Sequence, residues 1–138
     1  MIPRRALLAA MLILAVSAKA QQPGDVSAIQ DTITRQIEAF RHDDANAAFA
    51  LAAPNIHERF GTAERFLGLV RHAYPSVYRP KSFEFTTLGP ADGVMTQDVE
   101  LIGPDGLPAL ARYTLEQDST GVWRITGCIV LESERVAA

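Results

Sequence analysis

The chain has 138 residues, of which 48% are hydrophobic and 21% charged, and its formal net charge is −3 at pH 7. This acidic balance repels phosphate backbones and anionic lipid, so it argues against nucleic acid and membrane surfaces as partners. The one cysteine, Cys128, cannot close an internal disulfide.

The N-terminal segment has the pattern of a cleaved signal peptide. Arg4 and Arg5 give the start of the chain a positive charge, and residues 6–16 form an apolar run. Ala18-Lys19-Ala20 then places small residues where a signal peptidase cuts. The run is shorter than the about 20 residues that a membrane span needs, and no cysteine follows the cut to carry a lipid. We therefore expect cleavage after Ala20, a periplasmic or secreted protein, and no membrane anchor.

Cleavage would leave residues 21–138 as one domain, large enough to bury a core without disulfides. The removed segment contains three basic and no acidic residues, so the formal net charge of the mature chain would be −6.

The first half of the mature chain has the periodicity of helices. A long helix is predicted from apolar residues at helical spacing, with Ser27 or Asp25 as its N-cap. Asp44 is expected to cap a short helix over 45–52, and Pro54 and Gly61 to begin and end another. Thr62 then caps a helix that Pro75 ends. The predicted inward positions are Val26, Ile29, Ile33, Ile37, Phe40 and Phe49, then Phe66, Leu69, Val70 and Ala73.

The second half has the alternation of strands. Four runs, at 81–88, 94–102, 107–117 and 122–131, are separated by "GPADG", "GPDG" and "DSTG", which favours an antiparallel meander. Alternation gives an apolar face from Phe83 to Ile125 and an opposite face with charges such as Asp98 and Arg112. The fold class is therefore α+β, with N-terminal helices packed on a curved four-stranded sheet.

The chain also resembles a known family. The segment "IEAFRHDDANAAFALAAPNIHERFGTAERFLGLVRHAYPSVYRP", the strand around Gln97 and the closing "WRITGC" are similar to a bacterial family known only as domain of unknown function 4864. The order of elements more distantly resembles the nuclear-transport-factor-2-like superfamily. That resemblance implies a cone with a pocket between sheet and helices, but no activity. The nearer family has no assigned catalytic residues to carry over.

Metal or cofactor chemistry has little support in the sequence. The three histidines, His42, His57 and His72, lie fifteen residues apart, whereas two ligands on one helix face need a spacing of three or four. We expect no metal and no cofactor. A basic run, Arg59, Arg65, Arg71, Arg79 and Lys81, could bind a carboxylate or phosphate. Solvated charge, partly paired with Glu58 and Glu64, is the favoured explanation.

A pocket is the better candidate for a site. Gln97 and Tyr113 fall on the apolar sheet face, where each must find a hydrogen-bond partner, and they are predicted to share one. Tyr74 lies with Tyr78 at the crossing from helix to sheet, and Trp123 is predicted as a core anchor that faces the first helix. The candidate pocket residues are therefore Gln97, Tyr113, Tyr74 and Trp123.

Cys128 is either a reactive thiol or a packing residue. Simple alternation places it on the charged face, whereas a bulge at Gly127 would turn it inward. The apolar neighbours of Cys128 favour an inert, buried thiol.

Two function classes follow. The favoured one is a non-catalytic module that binds a small apolar ligand or associates with itself as a homodimer. The alternative is a cone-fold lyase or isomerase using general acid–base chemistry, which would need an inward-facing group such as His57 or Glu58.

Overall fold

The computed structural model describes residues 23–132. The predicted signal peptide lies outside the described residues. Five helices precede four strands along this part of the chain. The helices are α1 (Pro23–Arg41), α2 (Ala45–Ala50), α3 (Pro54–Phe60), α4 (Ala63–Ala73) and α5 (Pro75–Tyr78). The strands are β1 (Ser82–Ala91), β2 (Val94–Ile102), β3 (Pro108–Gln117) and β4 (Trp123–Glu132).

The sheet is an open antiparallel meander in the order β1-β2-β3-β4. Tight turns join the strands, and Gly93, Gly106 and Gly121 adopt φ angles of 81°, 84° and 90° in them. Glycine takes this left-handed conformation without steric cost. The α+β class is confirmed, and the predicted strand boundaries hold to within three residues.

The core lies between the helices and one face of the sheet. Ile29, Ile33 and Ile37 of α1 are fully buried, and Val99 and Ala111 oppose them from the sheet side of the same cluster. Trp123 and Ile125 belong to this cluster, and the Trp123 indole donates to Asp25 of α1 over 3.4 Å. Trp123 is therefore the core anchor that the sequence predicts.

The start of α1 differs from the prediction. Asp25 and Ser27 were the candidate N-caps, but both lie inside the helix. Asp25 falls in the first turn, where its charge favours the helix dipole. The other caps follow the prediction, because Asp44 and Thr62 accept hydrogen bonds from the backbone of Ala47 and Arg65 at 3.0 and 3.2 Å.

The buried face of α4 is also shifted. The prediction placed Leu69 and Ala73 inward, but both are exposed. The buried residues are Ala63, Phe66, Leu67 and Val70. They form an i, i+3, i+4, i+7 stripe, which is the regular contact face of a helix. Leu69 falls beside this stripe, and its exposure of 40% matters for the site described below.

Asp98 was predicted to face solvent, yet it is only 8% exposed. Arg112, its partner across β2 and β3, donates two hydrogen bonds to its carboxylate, at 2.8 and 3.0 Å. The arginine covers the carboxylate, so the acid is buried with its charge paired.

β4 contains the predicted bulge. Thr114 pairs with Gly127 and Leu115 pairs with Ile125, which leaves Thr126 as the extra residue. The inserted residue reverses the alternation beyond it. Cys128 therefore faces Tyr113 and packs against the core, as the sequence predicts for a bulge beside Gly127.

No helix within residues 23–132 combines the length and apolar character needed to cross a bilayer.

Candidate functional site

A cleft of about 310 Å³ lies where the helices meet the second half of β4. Its volume is at the lower end of the range typical of small-molecule sites. Its wall is contributed by Gln36, Phe40, Ala52, Ile56, Arg59, Phe60, Phe66, Leu69, Val70, Tyr74, Val77 and residues 125–129.

Aromatic packing fixes the helical wall of the cleft. The Phe66 ring lies 5.9 Å from that of Phe40 and 5.5 Å from that of Phe60, both measured between centroids. Contacts between tilted or edge-on rings at this distance are favourable. Three helices each contribute one of these rings, so the ring contacts join α1, α3 and α4 along this wall.

An exposed apolar residue of α4 also lines the cleft, since Leu69 is 40% exposed. Ile129 of β4 belongs to the lining as well, but it pairs with Arg112, so its side chain lies on the outer face of the sheet, opposite to that of Cys128. Exposed apolar surface beside a concave site is typical of binding surfaces. A ligand that covered Leu69 would gain the free energy of removing its side chain from water.

Three ionisable side chains line the cleft: Arg59, Tyr74 and Cys128. Arg59 is exposed, and its guanidinium lies 5.6 Å from the centroid of the Phe60 ring. Among the side chains of residues 24–131, Arg59 makes no ion pair, and neither its side chain nor the Tyr74 hydroxyl makes a hydrogen bond. In this part of the chain the two residues thus offer hydrogen-bond donors that have no acceptor.

Cys128 has the properties of a packing thiol. Burial raises its pKa to about 12, and a weaker opposing effect comes from the Tyr113 hydroxyl. A thiol with so high a pKa is almost wholly protonated near neutral pH and is a poor nucleophile. This agrees with the predicted inert role.

The Tyr113 hydroxyl is completely buried and makes no hydrogen bond with regular geometry in the described part of the chain. Burial raises the pKa of Tyr113 well above its usual value, and the neighbouring Cys128 thiol raises it further. Gln97 is also fully buried, but it accepts from Gln30 at 3.2 Å and donates to the Thr87 carbonyl at 3.3 Å. The two residues point inward together, as predicted, but share no hydrogen-bond partner.

The four candidate pocket residues are therefore divided. Tyr74 lines the cleft, whereas Gln97, Tyr113 and Trp123 lie in the core outside its lining. The assignment of these four residues to a ligand pocket stays a prediction. Sequence reasoning placed Leu69 in the core and therefore missed its contribution to the cleft.

The basic run and the histidines do not form a cluster around the site. Arg79 pairs with Asp43 at 3.0 Å, and the Tyr78 hydroxyl donates to the same carboxylate. That hydrogen bond, together with Arg79, lowers the pKa of Asp43. Glu58 and Glu64 form no ion pair within residues 23–132, so their predicted partnership with the basic run is wrong.

His57 is exposed and stacks on Phe49, with 4.0 Å between ring centroids. Its Nε2 lies 2.6 Å from the Phe49 carbonyl oxygen. Glu58 is exposed as well, and neither residue lines the cleft. Across residues 23–132, no group of histidine, cysteine, aspartate or glutamate side chains is arranged to hold a metal ion.

The family model for "Domain of unknown function (DUF4864)" matches residues 22–138. The chain belongs to this family. No curated protein and no solved structure matches the chain. The more distant relation to the nuclear-transport-factor-2-like superfamily, with its cone, stays a prediction.

Proposed function

We propose that this chain is a non-catalytic binding domain that takes a small, largely apolar ligand in the cleft between α3, α4 and β4. The observation that supports this is the cleft itself, which has a volume of about 310 Å³ and a mainly apolar lining. Small-molecule sites have this combination of a concave apolar wall and a few polar groups.

Acid–base catalysis has less support. In the described part of the chain, neither a carboxylate nor an imidazole lines the cleft. His57 and Glu58, the two helical residues that could have served, are exposed elsewhere. Cys128 is held protonated by burial. A lyase or isomerase needs a group that exchanges protons near neutral pH, most often a histidine or a carboxylate, and neither lines the cleft among the residues that the structure describes.

The binding proposal is tested with N-phenyl-1-naphthylamine, an uncharged dye whose fluorescence rises in apolar sites. We expect saturable binding to the purified protein. We expect Leu69→Trp to weaken binding at least tenfold, because the indole occupies space at the cleft. Leu107→Trp is the matched control, since Leu107 is also exposed, at 62%, but lies in the turn between β2 and β3.

Both variants change an exposed leucine, so both should melt close to the parent protein. The proposal fails if the parent does not bind the dye, or if the two variants bind it equally well.

Self-association is the second candidate function, and one observation favours it. β4 is an edge strand, and beyond the bulge it exposes Ile129 (55%) and Leu131 (42%). Edge strands with exposed apolar side chains are prone to pair with another chain. Sedimentation equilibrium should then give a dimer that Ile129→Lys dissociates and Leu107→Lys does not. A monomer at all concentrations would rule this candidate out.

We also propose that the protein is exported, on the basis of the sequence pattern of residues 1–20. The intact mass of the protein recovered outside the cytoplasm should correspond to a chain that begins at Gln21. Retention of residues 1–20, or recovery with the membrane fraction, would contradict the proposal.

A further inference from the structure

We infer that the ligand of the cleft is a monocarboxylate with an aliphatic body, and that Arg59 binds its carboxylate. This inference rests on the proposed function and specifies the class of ligand. It starts from Arg59, which is the one cationic residue that the described part of the chain contributes to this mainly apolar lining.

Arg59 is not engaged by the rest of the described protein. The ion pairs within residues 23–132 use Arg35, Arg41, Arg79, Arg112 and Arg124. Its neighbour Glu58 is exposed and makes no ion pair with it. The guanidinium is instead held near the Phe60 ring, 5.6 Å from the centroid. Stacking on an aromatic ring restrains a guanidinium and leaves its N–H groups at the edge able to donate.

The other polar groups in the lining narrow the choice of ligand head group further. Gln36 already donates its amide nitrogen to the Ala48 carbonyl at 3.0 Å, and the Thr126 hydroxyl already donates to Thr114 at 2.8 Å. Arg59 and Tyr74 remain as donors without an acceptor in the described part of the chain. A ligand group that satisfies Arg59 must accept hydrogen bonds, and a negative charge matches its guanidinium.

A carboxylate fits better than a phosphate. A guanidinium binds a carboxylate through two parallel hydrogen bonds, so one arginine neutralises one monoanion. A phosphate monoester carries more charge, and among the residues that the structure describes the lining of the cleft provides no second cation. The body of the ligand is then set by the apolar wall and by Leu69 at its exposed side. The volume of about 310 Å³ favours a medium-length chain over a long one.

The test compares octanoate with octanamide, which has nearly the same shape without the charge. Isothermal titration with the purified protein should show octanoate binding about tenfold or more tightly, since a hydrogen bond to a charged group contributes more than one between neutral groups. Arg59→Gln should abolish this preference and leave octanamide binding unchanged. Arg65→Gln is the matched control, because Arg65 is exposed on the neighbouring helix α4 and does not line the cleft.

The outcomes separate the two proposals. If octanamide binds as tightly as octanoate, or if Arg59→Gln keeps the preference for the acid, the assignment of the carboxylate is wrong while the apolar site stands. If neither compound binds and the uncharged dye does not bind either, the proposed function itself fails. Loss of the preference in Arg65→Gln as well would show a general charge effect and overturn the role of Arg59.

Discussion

The strand β4 passes through two different environments, divided by the bulge at Thr126. The covered half, residues 123–125, lies under helix α1 and the segment after α2. Ile125 exchanges backbone hydrogen bonds with Leu51 and Ala53 at 3.0 and 2.8 Å. The Thr32 hydroxyl of α1 donates to the Trp123 carbonyl at 3.2 Å. Both backbone polar groups of Ile125 and the carbonyl of Trp123 are thus paired with the helical half of the protein.

The cleft half, residues 127–131, is as apolar in sequence but much less covered. Ile129 and Leu131 are 55% and 42% exposed, whereas Trp123 and Ile125 are 9% and 4% exposed. Apolar composition therefore does not decide burial. Trp123 and Ile125 lie on the face of the sheet that packs against the helices, whereas Ile129 and Leu131 lie on the opposite face, where they pair with Arg112 and Leu110.

The largest expected difference between the halves is in stability. Trp123→Ala removes a buried indole from the core and should lower the free energy of unfolding by about 3–5 kcal/mol. Ile129→Ala should change it by about 0.5 kcal/mol or less, because the side chain is mostly in water. Urea denaturation of both variants measures this. Equal losses would mean that the two halves are packed alike.

The second prediction concerns the thiol in the cleft half. Raising the pKa of Cys128 from 9.0 to about 12 lowers its thiolate fraction at pH 8 roughly a thousandfold. Labelling of the native protein with a thiol reagent should therefore be slower than that of the denatured protein by about this factor. The chain has a single cysteine, so the signal is unambiguous. Native labelling as fast as in denaturant would make Cys128 a reactive group.

The third prediction compares two buried polar residues that oppose each other across β2 and β3. Gln97→Leu leaves the Gln30 amide and the Thr87 carbonyl without their partner, and should destabilise the protein by about 1–3 kcal/mol. Tyr113→Phe removes a hydroxyl that has no regular hydrogen bond, so stability should be unchanged or slightly higher. A large loss in Tyr113→Phe would show that its hydroxyl is satisfied, with the Cys128 thiol as the candidate partner.

The smallest effect is a dependence on alkaline pH. The pKa of Cys128 is higher in the folded chain than the ordinary 9.0, so the thiol's contribution to stability is complete below pH 9 and is lost as pH rises towards about 12. At pH 10 the loss should be about 1 kcal/mol. In the Cys128→Ala variant, the free energy of unfolding should not show this loss as the pH rises. Parallel stability curves for parent and variant from pH 8 to about pH 10 would contradict it.

Much of the fold followed from local patterns. The caps at Asp44 and Thr62, the proline at the start of α3, the glycine after it and the turns of the meander all depend on neighbouring residues, so the sequence predicts them well. The N-cap of α1 was wrong because Asp25 and Ser27 are both good capping residues, and the pattern does not say that the helix already extends past them.

The sequence by itself determined the α+β class, the order of helices and strands, the family and the sheet faces, whereas it left the direction of Cys128 open between alternation and a bulge. Only the tertiary structure decided which apolar residues stay exposed. Leu67 rather than Leu69 enters the core because α4 packs with one particular stripe, and Arg59 faces an apolar wall because α3 lies next to the cleft half of β4. These contacts join residues far apart in the chain. No local periodicity encodes them, so the candidate site emerged from packing rather than from any motif.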